Sequence, residues 1–345
     1  MRRFVVMLRG AIVGFGQVAE HGHWPAFAES DAFQIVAVVE RSVARRDAVA
    51  RLSPGIRTMT SLDEIADGEI DFVDICTPPA LHAAPMLAAL ERGWHVICEK
   101  PLLIEPAVFD EVRKAAVRTG RAIVPVHNWT YAPIVQRATA LVREGAIGRL
   151  RRVSIETLRQ RDCAVSDPDH PNWRRDAVIA GGGILMDHGW HAVYLALHWF
   201  GEAPASVSAT LHHPAAGEVE DEARVSLGFP SGDADIVLSW NAAVRGNRMV
   251  LTGDEGELEI ADGVLQIRGK AGDRTVATAP PLSAGSYHAD WFALMLPDVS
   301  RAFASPDESR ALLDQAGRCL GVIRRAYETA SAANLPRIAP TIGLA

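Results

Sequence analysis

The segment Ala11-Ile-Val-Gly-Phe-Gly-Gln-Val-Ala19 constrains the fold more than any other stretch: an apolar run enters a glycine turn and continues as a helix. Its spacing is Gly14-x-Gly16-x-x-Ala19. The first glycine permits a tight turn, and the second lets the backbone approach a pyrophosphate. Ala19 lets the helix pack close to the strand, and the helix N-terminus attracts phosphate. Phe15, Gln17 and Val18 belong to the same loop and are expected at the same site. Glu40 ends the next strand-like run, Phe33 to Glu40, about twenty residues further on, where a ribose-binding carboxylate belongs. Such a carboxylate accepts hydrogen bonds from the ribose hydroxyls and repels a 2′-phosphate, which favours NAD. Arg41, Ser42, Arg45 and Arg46 stand beside it and are groups that can receive that phosphate, so NADP stays open.

The rest of the first third repeats the same grammar. Strand-like runs at Ile70–Cys76, Trp94–Cys98 and Ala122–Val126 alternate with helical runs at Arg45–Leu52, Ala83–Arg92 and Pro106–Thr119. Strands alternating with helices of ten or so residues imply a parallel, doubly wound sheet. Beyond about residue 130 the pattern changes. A helix (Pro133–Arg143), a strand (Leu150–Arg159) and a helix (about Ile184–Phe200) precede strand-like runs at 205–211, 223–229, 235–240, 248–252, 257–260 and 264–268. Turns such as Ser231-Gly-Asp and Ala261-Asp-Gly suit hairpins. The expectation is an α/β Rossmann dinucleotide-binding domain over residues 1–128. An α+β domain with a large, mainly antiparallel open sheet follows over 129–345, closed by a helix at about 306–333.

Composition narrows the function. With 35 basic and 42 acidic side chains the net charge is −7, so no basic face is offered to nucleic acid or anionic lipid. Cys76, Cys98, Cys163 and Cys319 are dispersed, which suits a reduced, cytoplasmic protein without structural zinc. The apolar run near the amino terminus, Phe4–Leu8, is too short for a secretory leader, and no run reaches the roughly 18 apolar residues of a membrane span. Histidines at His21-Gly-His23, His188/His191 and His212-His213 give no closed metal set of known spacing, so no metal is expected. Lysine occurs only at 100, 114 and 270, so it was kept there against a habit of arginine.

Four further segments stand out: Cys76-Thr-Pro-Pro-Ala-Leu-His82, Cys98-Glu-Lys-Pro101, Asn172-Trp-Arg174 and Gly181-Gly-Gly-Ile-Leu-Met-Asp-His-Gly-Trp-His191. Thr77-Pro78 and Glu99-Lys100-Pro101 end two parallel strands at the edge where such sheets bind ligands. His82, in the first turn of a helix, reads by itself as a packed or capping residue. Asp187 and His191 stand four apart near a helix start and face one way. The glycines before them let a ligand or another loop come close.

Together with the fingerprint, these segments resemble the Gfo/Idh/MocA oxidoreductases, the family of glucose–fructose oxidoreductase and inositol dehydrogenase, over nearly the whole chain. The resemblance implies that Thr77, Pro78 and His82 line the nicotinamide side of the cofactor, with Glu99 near its ribose and Asn128 near its amide. Trp173 and Arg174 are carried over as cofactor-binding. Lys100 stands at the reacting centre, and Asp187 and His191 face the substrate. Many relatives carry an arginine where this chain has Thr130, and His188, Trp190 and His127 crowd the expected pocket.

The implied activity is hydride transfer between a secondary alcohol of a sugar, cyclitol or related polyol and NAD(P). Lys100, Asp187 and His191 are the catalytic set, with His191 the preferred base because free imidazole has a pKa of about 6.5. The lysine and histidine roles are exchangeable if burial lowers the lysine pKa. Two alternatives remain: glycoside cleavage with retained NAD, and a non-catalytic dinucleotide-binding sensor. Arg159 and Arg161 straddle a strand exit and are expected on one side, either as a solvated strand end or as a fork for a carboxylate or phosphate. An open sheet whose outer face needs cover suggests a homodimer or homotetramer.

Overall fold

The computed structural model describes residues 7–162, 172–269 and 272–332; Cys163 lies outside them. Alternating apolar and amphipathic runs build the first layer. It comprises β1 (Leu8–Val13), a π-helical turn at Ala19–His23 leading into α1 (Trp24–Ala28), β2 (Phe33–Val39), α2 (Val43–Leu52) and β3 (Arg57–Met59). It continues through β4 (Phe72–Ile75), α3 (Ala83–Glu91), β5 (His95–Cys98), α4 (Pro106–Thr119) and β6 (Ile123–Pro125). The strands pair in parallel in the order β3-β2-β1-β4-β5-β6. All four residues of β4 and the last four of β1 are buried, as parallel strands covered on both faces must be. The order reverses between β1 and β4, which opens a crevice at their carboxyl ends. In register, Ile75 lies opposite Cys98 and Cys98 opposite Pro125, so the segments after β4, β5 and β6 emerge along one edge.

The second layer begins with α5 (Pro133–Arg143), β7 (Leu150–Leu158), α6 (Ala177–Ala180) and α7 (Ile184–Phe200). It continues with β8 (Ser206–His212), β9 (Glu222–Gly228), β10 (Asp233–Ser239), β11 (Gly246–Gly253), β12 (Gly256–Ala261), β13 (Val264–Gly269) and β14 (Arg274–Thr278). After these come α8 (Ala289–Ala304), α9 (Pro306–Thr329) and the short β15 (Ser331–Ala332). The nine-stranded sheet runs β14-β13-β12-β11-β7-β10-β9-β8-β15. Only β7–β10 and β8–β15 are parallel neighbours. The Asp262-Gly263 loop joins Ala261 to its partner Val264, with Asp262 at φ 52°. Helix α7 is apolar on nearly every side, and it packs against β7, β9 and β10.

The described residues form two compact units, 7–128 with 287–317, and 129–162, 172–286 (270–271 apart) with 318–332. The contacts of α8 explain its membership of the first. Phe292 and Phe303 join Phe27, Phe33 and Phe72 in one cluster of edge-to-face and tilted ring contacts. Phe27, Phe33, Phe72 and Phe292 are buried and contribute about 1.5–3 kcal/mol each, while Phe303 is half-buried. No helix among the described residues is long and apolar enough to cross a membrane.

Candidate active site

At the end of β1 the glycine turn takes the form its spacing implies. Gly14 has φ 84°, and a Cβ there would lie 2.7 Å from Thr77 Cγ2, so the turn requires glycine. A Cβ on Gly16 would meet nothing within 4 Å. The chain's own packing therefore does not require glycine at that position, and the open space is what a pyrophosphate close to the backbone would use. Phe15 N donates to Glu40 Oε2 (2.7 Å) and Ser42 N to Glu40 Oε1 (2.8 Å), which fixes the carboxylate beside the turn. Of the cations beside it, Arg46 bonds the carbonyl oxygens of Glu40 and Arg41 (2.7 Å each), and Arg45 lies 3.6 Å from Glu20. Arg41 is exposed.

The neighbouring strand ends add polar atoms to this edge. Thr77 Oγ1 and Asn128 Oδ1 are buried and accept or donate no hydrogen bond among the described residues. The polar atoms of a bound dinucleotide would give both a partner. Pro78 opens the short helical turn Pro79–Leu81. His82 is fully buried, with Nδ1 3.0 Å from the Leu102 carbonyl oxygen and Nε2 2.7 Å from that of Thr77. Burial lowers its pKa, although the two carbonyls pull the other way. It braces two loops, the packed role that its position in the sequence suggested. His127 is also buried, and burial lowers its pKa to about 3.

Past β5, Lys100 N donates to its neighbour Glu99 Oε2 (3.0 Å), and the Lys100–Pro101 peptide is cis. Glu99 leads to a cluster that the sequence did not suggest. His23 Nδ1 lies 2.8 Å from Asp74 Oδ2, and Nε2 lies 3.2 Å from Glu99 Oε1. Cys76 Sγ stands 3.3 Å from Nδ1, and the ring stacks on Phe292 with centroids 3.8 Å apart. Donor atoms of His23, Asp74 and Cys76 all lie within 4.8 Å of one another, the spread of a metal-ligand set. Both ring nitrogens, however, face carboxylates, and hydrogen bonds and charge already satisfy the imidazolium form. Burial lowers the His23 pKa, but Asp74 and Cys76 together outweigh it and raise the value well above that of an ordinary histidine. Burial opposes the ionised form of Glu99, yet His23 and Lys100 hold its pKa below the usual range. Burial pushes the Cys76 thiol up to about 12. One signal was present in the sequence: an aspartate in the otherwise apolar run Phe72-Val-Asp-Ile75.

In the second unit the polar set gathers on α7. Asp187 Oδ2 lies 3.5 Å from Arg174 Nε and 4.0 Å from His188 Nε2. The Arg174 guanidinium lies over the Trp173 ring, 4.2 Å from its centroid. His191 is buried and stacks on Trp129 with centroids 5.1 Å apart and 19° between planes. The glycines before α7 admit another part of the chain. A Cβ on Gly182 would collide with the Tyr327 hydroxyl, and one on Gly183 with the Glu220 carbonyl oxygen. Glu220, absent from the sequence reading, organises the start of this helix. Its buried carboxylate accepts from Gly183 N (2.9 Å), Leu185 N (3.0 Å) and Tyr327 Oη (2.7 Å), and its carbonyl from Ile184 N (3.0 Å). Burial raises its pKa against the pull of these bonds.

Arg159 and Arg161 do not share a side as expected. Strand β7 ends at Leu158, so alternation stops before them. Arg159 is buried, and its guanidinium bonds the carbonyl oxygens of Leu158 (2.7 Å) and Gly246 (3.2 Å) and Asn247 Oδ1 (3.1 Å). Arg161 is exposed.

Known proteins share this fold. Residues 8–127 match the model of an oxidoreductase family with an NAD-binding Rossmann fold. Residues 135–259 match the GFO/IDH/MocA C-terminal domain. An uncharacterized oxidoreductase of Rhizobium meliloti, ORF334, is 30% identical over 244 residues, 70% of this chain and 71% of that one. D-glucoside 3-dehydrogenase of Escherichia coli (strain K12) is 28% identical over 208 residues, 59% of this chain and 57% of its own. The crystal structure of aldose–aldose oxidoreductase from Caulobacter crescentus, complexed with glycerol, has a TM-score of 0.81 at 27% identity. That match covers 94% of this chain and 97% of the other. With both of its units matched, the chain belongs to the Gfo/Idh/MocA family of NAD(P)-binding oxidoreductases.

Proposed function

We propose that the protein is a dehydrogenase that moves hydride between a secondary alcohol of a sugar, cyclitol or related polyol and a nicotinamide dinucleotide, with NAD preferred over NADP. The observation that carries this reading is the acid–base pair on α7: Asp187 beside Arg174, and His191 held against Trp129, on a largely apolar helix. Relatives that act on a glucoside and on aldoses give the substrate class. When bound, the dinucleotide supplies the hydride acceptor, and Gly14, Gly16, Glu40, Thr77 and Asn128 are the residues that would hold it. Loss of hydride from carbon requires loss of a proton from the hydroxyl, so a base must touch that oxygen. His191 takes the proton. Asp187, one helical turn away, stabilises the imidazolium that forms, and Lys100 orients the hydroxyl while favouring developing negative charge on it. Absorbance of reduced nicotinamide across a panel of polyols, sugars and sugar acids, with both cofactors, tests the reading. Turnover of none of them would overturn it.

Cofactor preference has its own expected outcome. NADH should bind at least about tenfold more tightly than NADPH, a difference of about 1.4 kcal/mol. The Glu40 carboxylate is pinned by Phe15 N and Ser42 N, and two nearby cations are engaged elsewhere. Glu40→Ser should narrow or reverse the gap. Because Glu40 also holds the glycine turn, both affinities fall in the variant and their ratio is the readout, measured by titrating nucleotide fluorescence. A wild-type protein binding NADPH tenfold tighter would remove the preference.

A further inference from the structure

Asp74 stands in the middle of the parallel sheet, at 0% exposure, in a strand whose other residues are all buried and apolar. A carboxylate in such a place costs several kcal/mol unless it is paired, and apolar residues of similar volume commonly do as well or better for stability. Stability is therefore a weak reason for its presence. Its geometry supplies a better one. Asp74 Oδ2 bonds His23, the last residue of the π-helical turn that follows the glycine loop, and His23 bonds Glu99 Oε1 at the end of β5. The second Glu99 oxygen accepts the backbone N–H of Lys100. A continuous chain of bonds thus runs from the sheet interior to the residue placed at the reacting centre. Phe292 stacks flat on the imidazole and leaves it one plane. All members lie in one unit. The charges alternate along the side chains, Asp74 negative, His23 positive and Glu99 negative, as a charge-assisted network requires, and the Lys100 backbone N–H closes the chain.

We propose that Asp74 and His23 are positioning residues for Lys100, fixing the Glu99-Lys100 backbone at the carboxyl edge of the sheet and so the place of the ammonium group. The proposal rests on the reading of Lys100 given above. His23 touches neither substrate nor cofactor in this scheme and acts only through Glu99.

Two variants separate the two ends of the imidazole. His23→Asn keeps an amide near the position of Nδ1, towards Asp74, and loses Glu99. His23→Gln places its amide near Nε2, towards Glu99, and loses Asp74. Each is made alone and with Lys100→Met, and folding is checked by thermal unfolding. H23N should lower kcat at least tenfold, with the substrate KM and the NADH affinity within threefold of wild type. H23Q should recover at least threefold of that loss. On the Lys100→Met background H23N should lower the residual rate by less than twofold, because the group it positions is gone. If the His23 variants do not fold, the near-isosteric Asp74→Asn should show the same pattern. An equal factor on both backgrounds would overturn the link to Lys100 while leaving the role of Lys100 intact. Wild-type turnover in Lys100→Met would instead remove the reading of Lys100 on which the proposal rests. Loss of stability with unchanged kcat in the folded protein, or one equivalent of zinc lost on H23N substitution, would also overturn it.

Discussion

Lys100→Met should lower turnover by on the order of 10²–10⁴ while NADH affinity changes little, because loss of a group acting on the reacting proton carries that penalty. Methionine retains most of the apolar stem of lysine and removes the ammonium group, so the edge of the sheet is disturbed little. The backbone N–H of residue 100 still reaches Glu99 Oε2 in the variant. His191→Ala should fall in the same range, but it also empties the space against Trp129. His191→Phe keeps an aromatic ring on Trp129 and removes only the proton acceptor, and it should be as inactive as the alanine variant. Steady-state kinetics on the best substrate of the panel, with fluorescence titration of NADH, decides the matter. If Lys100→Met and His191→Phe both turn over within threefold of wild type, neither residue acts on the reacting hydroxyl.

Much of the first unit was legible because its signals are local. The Gly14/Gly16/Ala19 spacing, Glu40 at the end of β2 and the alternation of strand and helix each occupy a few neighbouring residues, and parallel strands buried on both faces leave continuous apolar runs. The hairpin at Asp262-Gly263 was visible for the same reason. The omissions also have physical causes. Helix α8 carries Pro297 in its interior, which interrupts the donor pattern that marks a helix. Strand β14, Arg274–Thr278, is largely exposed and shows no buried face, and β15 has only two residues. Arg159 and Arg161 were read by strand alternation past the point where the strand ends. The His23–Asp74–Glu99 chain joins residues 51 and 76 positions apart, and no periodicity records such a contact. The glycines before α7 announced close approach. That the approaching groups are Glu220 and Tyr327, 37 and 107 positions from their partners, depends on the assembled sheet.

Glu220 carries the largest expected effect on stability. Its carboxylate and carbonyl oxygen together hold the N–H groups of Gly183, Ile184 and Leu185 at the start of α7, where a helix leaves donors unsatisfied. Gly183 has no side chain with which to cap the helix itself. A negative group at a helix N-terminus is further favoured by the helix dipole. Glu220→Ala would strand the N–H groups of Gly183 and Leu185 and the Tyr327 hydroxyl in a site only 1% exposed at Glu220. Each stranded donor costs about 1–3 kcal/mol, so a loss on the order of 3–5 kcal/mol is expected, short of the simple sum because the ionised carboxylate is itself disfavoured by burial. Glu220→Gln retains one acceptor oxygen, and Tyr327→Phe removes only one of the donors, so each should lose about 1–2 kcal/mol. Denaturant unfolding of the three variants measures the order. Asp187 and His191 lie on the first two turns of the helix that Glu220 caps. The alanine variant should therefore lose turnover at temperatures where its far-ultraviolet spectrum is still that of the folded protein. Equal stability of Glu220→Ala and wild type would mean that water, and not this side chain, satisfies the start of α7.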